Sequence, residues 1–241
     1  MKLKNVAFLM LTLAASAQAC ATSVAPSASA YTREHNAAMY QQLNFNDKRD
    51  IEDAKRGFIA TINPLLIKND NGKTVVNLEN WSFLKDEAPD TVNPSLWRHA
   101  QLNNINGLFK VTDRVYQIRG IDISNMTIIE GNSGLIIIDP LVIPESARAG
   151  LELYYQHRPK KPVVAVIYSH SHLDHFGGVK GVVSETDVKS GKVKIYAPEG
   201  FMEEAASENF LAGNAMSRRA LYMYAMMVKP SAVGHVDDGI G

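Results

Sequence analysis

The chain has a single cysteine among its 241 residues, Cys20, so no disulfide can form within it, which is compatible with an oxidising compartment and does not require one. It has no excess of either charge: Lys plus Arg and Asp plus Glu stand at 25 each. That balance gives no support for nucleic acid or an anionic membrane surface as a partner. It also lacks an apolar run long enough to cross a bilayer. The run from Val6 to Ala15 has ten residues, against the ~20 that a helix needs for ~30 Å of hydrocarbon, so no transmembrane segment is expected. No internal repeat is visible. Hydrophobic residues make up 46% of the chain, ample for a core, which argues against wholesale disorder.

The amino terminus reads as an address. Lys2 and Lys4 make a basic start, the Val6 to Ala15 run follows, and Ala17-Gln18-Ala19 offers the small-x-small pattern of a cleavage site. This order predicts a signal peptide over 1–19 and a periplasmic or secreted mature protein. Cys20 directly after it admits a lipid anchor, but Ala-Gln-Ala is a poor lead-in for that modification, which favours plain cleavage. Residues 20–31, rich in Ala, Ser and Thr, read as a disordered spacer.

Helical patterning follows over Thr32 to Gln42 and over Asp47 to Ala60, with Asp47 placed to cap the second segment. Asn69-Asp70-Asn71-Gly72 signals a turn, and Thr74 to Leu78 alternates like a strand. After the irregular stretch from Trp81 to Asn93, Pro94 opens a helix over Ser95 to Asn104. Residues 32–106 thus form an extension with helices and a small hairpin. From Gly107 the pattern changes: Leu108 to Val111, Val115 to Gly120, Met126 to Glu130 and Gly134 to Asp139 read as strands of a meander. A helix over Pro144 to His157, a strand over Val163 to Tyr168, another over Lys192 to Ala197, and helices over Glu199 to Asn209 and Ala212 to Val228 complete it. Meander first, then strand and helix in alternation, predicts an α/β fold with a mixed sheet and helices packed against it.

The chemistry concentrates at His170-Ser171-His172-Leu173-Asp174-His175, where four metal-capable side chains fall within six positions. His170 and His172 project alike if the chain stays extended through Ser171, while Asp174 and His175 arrive as it turns, with Gly177-Gly178 supplying backbone freedom beyond. Two imidazoles at one point, and a carboxylate with an imidazole at the next, suit two adjacent divalent metals, and zinc is the natural occupant of such ligands. Paired ions of this kind are hydrolase machinery. The bland alternative is a polar loop rich in histidine.

His-x-His-x-Asp-His after an apolar strand resembles the metal motif of the metallo-β-lactamase fold, an αββα arrangement, and Ile136-Ile137-Ile138-Asp139-Pro140 matches its earlier marker, an aspartate ending a strand. Longer strings are similar to zinc-dependent alkyl sulfatases that degrade dodecyl sulfate: Leu108-Phe109-Lys110-Val111-Thr112-Asp113, Ser124-Asn125-Met126-Thr127, His175-Phe176-Gly177-Gly178-Val179-Lys180-Gly181 and Ala212-Gly213-Asn214-Ala215-Met216-Ser217-Arg218-Arg219. The last is much more specific than the metal motif. The resemblance implies two zinc ions, one on His170 and His172 and the other on Asp174 and His175, with a water on the metal as nucleophile; Asp139 reads as a group that orients a ligand histidine, with a merely structural strand-end carboxylate as the alternative. It implies hydrolysis of linear alkyl sulfates to alcohol and inorganic sulfate.

The family pattern also implies two glutamates, a further histidine, sulfate-holding groups and a dimerisation region beyond Gly241. Residues 107–241 are therefore expected to be the amino-terminal half of the hydrolase domain, and the chain a fragment, with a homodimer formed through a region it does not contain. The rivals are another hydrolase of the same fold, acting on a β-lactam or thioester, and an inactive remnant. His235 is read as a surface histidine, Arg218-Arg219 as a solvated pair, and the Tyr222, Met223, Tyr224, Met226 and Met227 stripe as a buried helix face.

Overall fold

A computed structural model describes residues 27–237. The expected signal segment, Cys20 and most of the expected spacer lie outside the described residues. The spacer ends sooner than its composition suggests: Ala28 is buried, Ser29 caps the first helix through its hydroxyl, and α1 spans Ala30–Gln42. The segment expected as one helix over Asp47 to Ala60 divides in two. Helix α2 covers Arg49–Lys55, Gly57 turns the chain with φ 74°, and Phe58–Ala60 forms strand β1. Lys48 occupies the cap position of α2, while the Asp47 carboxylate accepts from the Arg49 backbone N–H. Strands β2 (Leu66–Lys68) and β3 (Thr74–Asn77) pair as the expected hairpin. Asn69 Oδ1 closes its turn by accepting from the N–H groups of Asn71 and Lys73.

Helix α3, Pro94–Asn103, opens on Pro94 with Asn93 as its cap. It packs Trp97 and Ala100 with Leu84, Val92 and Val236 into a small core of its own.

The meander forms as expected: β4 Gly107–Thr112, β5 Val115–Arg119, β6 Met126–Glu130 and β7 Leu135–Ile138, all antiparallel neighbours. Helix α4, Pro144–His157, then crosses to β8 (Val163–Ile167), which runs parallel to β7, and β9 (Lys194–Tyr196) runs parallel to β8. The seven-stranded sheet has the order β1-β4-β5-β6-β7-β8-β9, so the amino-terminal extension contributes its edge strand. Alternation sends Tyr116, Ile118, Met126, Ile128, Leu135, Ile137 and Val166 into one buried face. Helix α4 covers that face with Ala147, Leu151 and Tyr154, each large side chain contributing roughly 1.5–3 kcal/mol by leaving water. The opposite face, with Ile129, Ile136, Ile138 and Ile167, is only half-buried.

Helix α5 (Glu185–Lys189) precedes β9; beyond β9, α6 (Phe201–Ala206) runs into a π-helical turn, Ser207–Leu211, and then into α7, Gly213–Met223. Helix α7 buries none of its residues. The stripe expected as a buried face is therefore exposed: Tyr222 is 88% accessible, and Met226 and Met227 are also open to solvent.

Candidate metal centre

The site forms where β7 and β8 end side by side, at the carboxyl ends of two parallel strands, where open α/β sheets place their ligands. Asp139 follows β7 and is 9% exposed, with φ 54°; Leu141, two residues on, has φ 63°. Two non-glycine residues in the left-handed region within three positions make a strained corner, and such corners persist where surrounding bonds over-determine them. The Asp139 carboxylate supplies those bonds. Oδ1 accepts from the Ser169 N–H at 2.8 Å, and Oδ2 accepts from the Ser169 hydroxyl at 2.6 Å and from His175 Nδ1 at 2.9 Å.

These contacts fix the tautomers. A carboxylate only accepts, so the Ser169 proton is committed to Asp139, and His170 Nδ1, 2.9 Å from Ser169 Oγ, must be the donor there. His170 thus keeps its Nε2 lone pair for a ligand. His175 likewise directs Nδ1–H at Asp139, and its Nε2 faces Asp174 Oδ2 at 3.1 Å. An imidazole nitrogen and a carboxylate oxygen at that distance need a proton or a cation between them. The ring centroid of His170 lies 4.6 Å from that of His172 and 4.1 Å from that of His175.

The chain departs from the extended path that would aim His170 and His172 alike: β8 ends at Ile167, and a short 3-10 turn covers Leu173–His175. Gly177 and Gly178 serve that turn by close approach, since Gly178 has an ordinary φ of −81°. A side chain at Gly177 would overlap the Val142 carbonyl, and one at Gly178 the Pro140 carbonyl. The Gly178 N–H donates to Leu141 O at 2.9 Å. Behind the turn Tyr168, Phe176 and Phe201 pack together, and burial pushes the Tyr168 hydroxyl up to about 12.

Two further carboxylates were not legible in the sequence. Glu208, on the π-helical turn, brings Oε1 to 3.7 Å from His172 Nε2. Asp122, in the β5–β6 loop, is half-buried; desolvation raises its carboxyl above the usual aspartate range, with bonds from the Val142 and Ser124 N–H groups opposing and the charge of Asp174 adding. Contacts between residues 36 and 52 positions apart leave no spacing to read. His235 is corrected: it is buried, edge-on to the Trp81 ring, in the small core of the extension. Arg218 and Arg219 are exposed.

By type the donors suit a divalent ion, with three imidazoles and a carboxylate. By arrangement they stop short: among the described residues no group of three or more His, Cys, Asp or Glu side chains converges on a point where one could sit. Residues 119–241 match the Metallo-beta-lactamase superfamily. The chain belongs to that superfamily. Membership implies a divalent metal, typically zinc.

Similar proteins narrow the branch. The chain is 52% identical over 235 residues to a linear primary-alkylsulfatase of a Pseudomonas species, covering 97% of this chain and 35% of that protein. It is 57% identical over 211 residues to an alkyl/aryl-sulfatase of Saccharomyces cerevisiae, covering 87% and 33%. The solved structure of a stereoselective inverting sec-alkylsulfatase from Pseudomonas superposes with a TM-score of 0.84 at 56% identity, covering 89% of this chain and 34% of that one. The chain thus spans about a third of the length of the curated relatives it matches.

Proposed function

We propose that this metallo-β-lactamase chain carries the metal-motif region of a zinc-dependent alkyl sulfatase, which hydrolyses linear alkyl sulfates such as dodecyl sulfate to alcohol and inorganic sulfate. The observation that carries the reading is the Asp139-Ser169-His170-His175 network at the ends of β7 and β8, in a chain more than half identical to alkylsulfatases. His170 with His172 would hold one zinc ion, and Asp174 with His175 a second. When bound, such ions would offset the negative charge on the sulfate oxygens and lower the pKa of a water to about 7. Asp139 keeps the His170 and His175 rings oriented, directly at His175 and through Ser169 at His170. The same reading carries a homodimer, and export of the mature chain from residue 20 after cleavage behind Ala19.

A substrate panel tests this, using the chain extended by the part of the Pseudomonas linear primary-alkylsulfatase that lies beyond the matched third. Zinc-dependent sulfate release from dodecyl sulfate, lost in His172→Ala, is expected. Turnover of a β-lactam or thioester in its place would overturn the reading. The second reading, a polypeptide that binds metal but does not turn over by itself, is favoured by the absence of three converging donors among the described residues.

A further inference from the structure

Asp122 and Ser124 sit in the loop between β5 and β6, remote in sequence from the metal motif. Asp122 Oδ1 accepts from the Ser124 N–H at 3.1 Å, and Oδ2 accepts from the Val142 N–H at 2.9 Å. Ser124, 6% exposed, donates its hydroxyl to the backbone carbonyl of Asp174 at 2.5 Å. One half-buried carboxylate therefore ties its own loop to the corner that follows Asp139, and the serine it holds grips the residue just before His175. The corner in turn receives Gly178, whose N–H donates to Leu141 O. Three loops, 120–125, 139–143 and 169–178, are closed into one unit by bonds that involve no ligand side chain.

We propose that Asp122 and Ser124 are positioning residues that set where Asp174 and His175 stand, a role separate from that of Asp139; it rests on reading Asp174 and His175 as metal ligands. Asp139 fixes the orientation of rings by bonding to their nitrogens. Asp122 and Ser124 fix the backbone from which those side chains project. The ligand pair stands on a short 3-10 turn whose leading residues, His172 and Leu173, are exposed, so the Asp174 carbonyl is held from outside the turn by Ser124. Loss of the Ser124 hydroxyl leaves the Asp174 carbonyl without its side-chain partner and releases the turn while the strands stay intact.

The test uses the full chain with Ser124→Ala, Asp122→Asn and Ser124→Thr, which keeps the hydroxyl. Amide hydrogen exchange at His175, Phe176 and Gly177 should quicken about tenfold in Ser124→Ala, with β5 and β6 unchanged, and return toward the parent in Ser124→Thr. Cobalt(II) titration should show affinity weakened by roughly tenfold or more in Ser124→Ala and Asp122→Asn, with an altered visible absorption band. If strand amides also open in Ser124→Ala, Asp122→Asn decides by the same two readouts. Unchanged turn exchange and unchanged cobalt affinity in both variants overturn the proposal. Faster turn exchange in a chain whose parent takes up no cobalt would leave the clamp standing and remove the metal reading instead.

Discussion

Asp139 accepts three hydrogen bonds from two residues thirty and thirty-six positions away, and two of them are from groups that orient ligand candidates. Replacing it with Asn puts an amide NH2 where an acceptor is needed, so at least one of Ser169 and His175 loses its partner. Asp139→Asn should lower stability by roughly 1–3 kcal/mol, measured by urea denaturation, and should weaken zinc binding in a chelator competition. His172→Ala should weaken zinc binding as well, with little loss of stability, because the ring is exposed; equal affinity in parent and variant would remove His172 from the site. The candidate ligands could be picked out because all four fall within six consecutive positions, and the Asp139 marker because it follows an apolar strand. Glu208 and Asp122 were not legible, since each reaches the site through a fold contact that no local pattern encodes. Gly177 and Gly178 matter through their missing side chains, which let the Val142 and Pro140 carbonyls approach, and not through the backbone freedom that the glycine pair suggests in sequence.

At the level of elements, the meander and α4 followed their patterns closely because alternation, turn chemistry and a proline at the first helical turn all agree there. The pattern failed over residues 47–60, where apolar spacing resembles a helix, but pairing with β4 pulls Phe58–Ala60 into the sheet after Gly57. Helix α4 is anchored at its carboxyl end by Glu130 on β6, which accepts from the Tyr154 hydroxyl at 2.5 Å and from Arg158 at 2.9 and 3.1 Å. Arg158 chiefly, helped by Tyr154, holds the Glu130 carboxyl below its usual value of 4.5. A depressed folded value means the network stabilises the fold fully above about pH 4.5, and its contribution is lost as pH falls through the folded value. Glu130→Gln should therefore be less stable than the parent at pH 7, with the gap between their urea midpoints narrowing in acid. Gly178→Ala places a methyl against the Pro140 carbonyl and the Ala147 side chain. It should cost roughly 1–3 kcal/mol, read as a drop in melting temperature, and loosen the metal turn from α4.

Across the whole molecule, one sheet face is closed by α4 and the other is not covered to the same depth, and the apolar residues of the last two helical segments face solvent. Phe210 is 86% exposed and Leu211 85%, and Tyr222, Met226 and Met227, on and after α7, are open to solvent as well. Exposed apolar side chains in such number mark a place where more protein packs or where chains associate. The β9 edge adds to it, since its three residues are all exposed and its outer side pairs with no described strand. The same arrangement limits the chemistry: each proposed ion has two donors here, against the three protein ligands of a catalytic zinc site. Residues 20–241 alone should therefore self-associate in sedimentation and release no useful inorganic sulfate from dodecyl sulfate with zinc supplied. Joining them to the unmatched part of the Pseudomonas alkylsulfatase should yield a monodisperse protein and zinc-dependent sulfate release together, because one added layer would both cover the apolar face and complete the coordination shells. Robust zinc-dependent turnover by residues 20–241 alone would mean that the ligand set is wrong. Glu208, already 3.7 Å from His172, would then be the first side chain to replace.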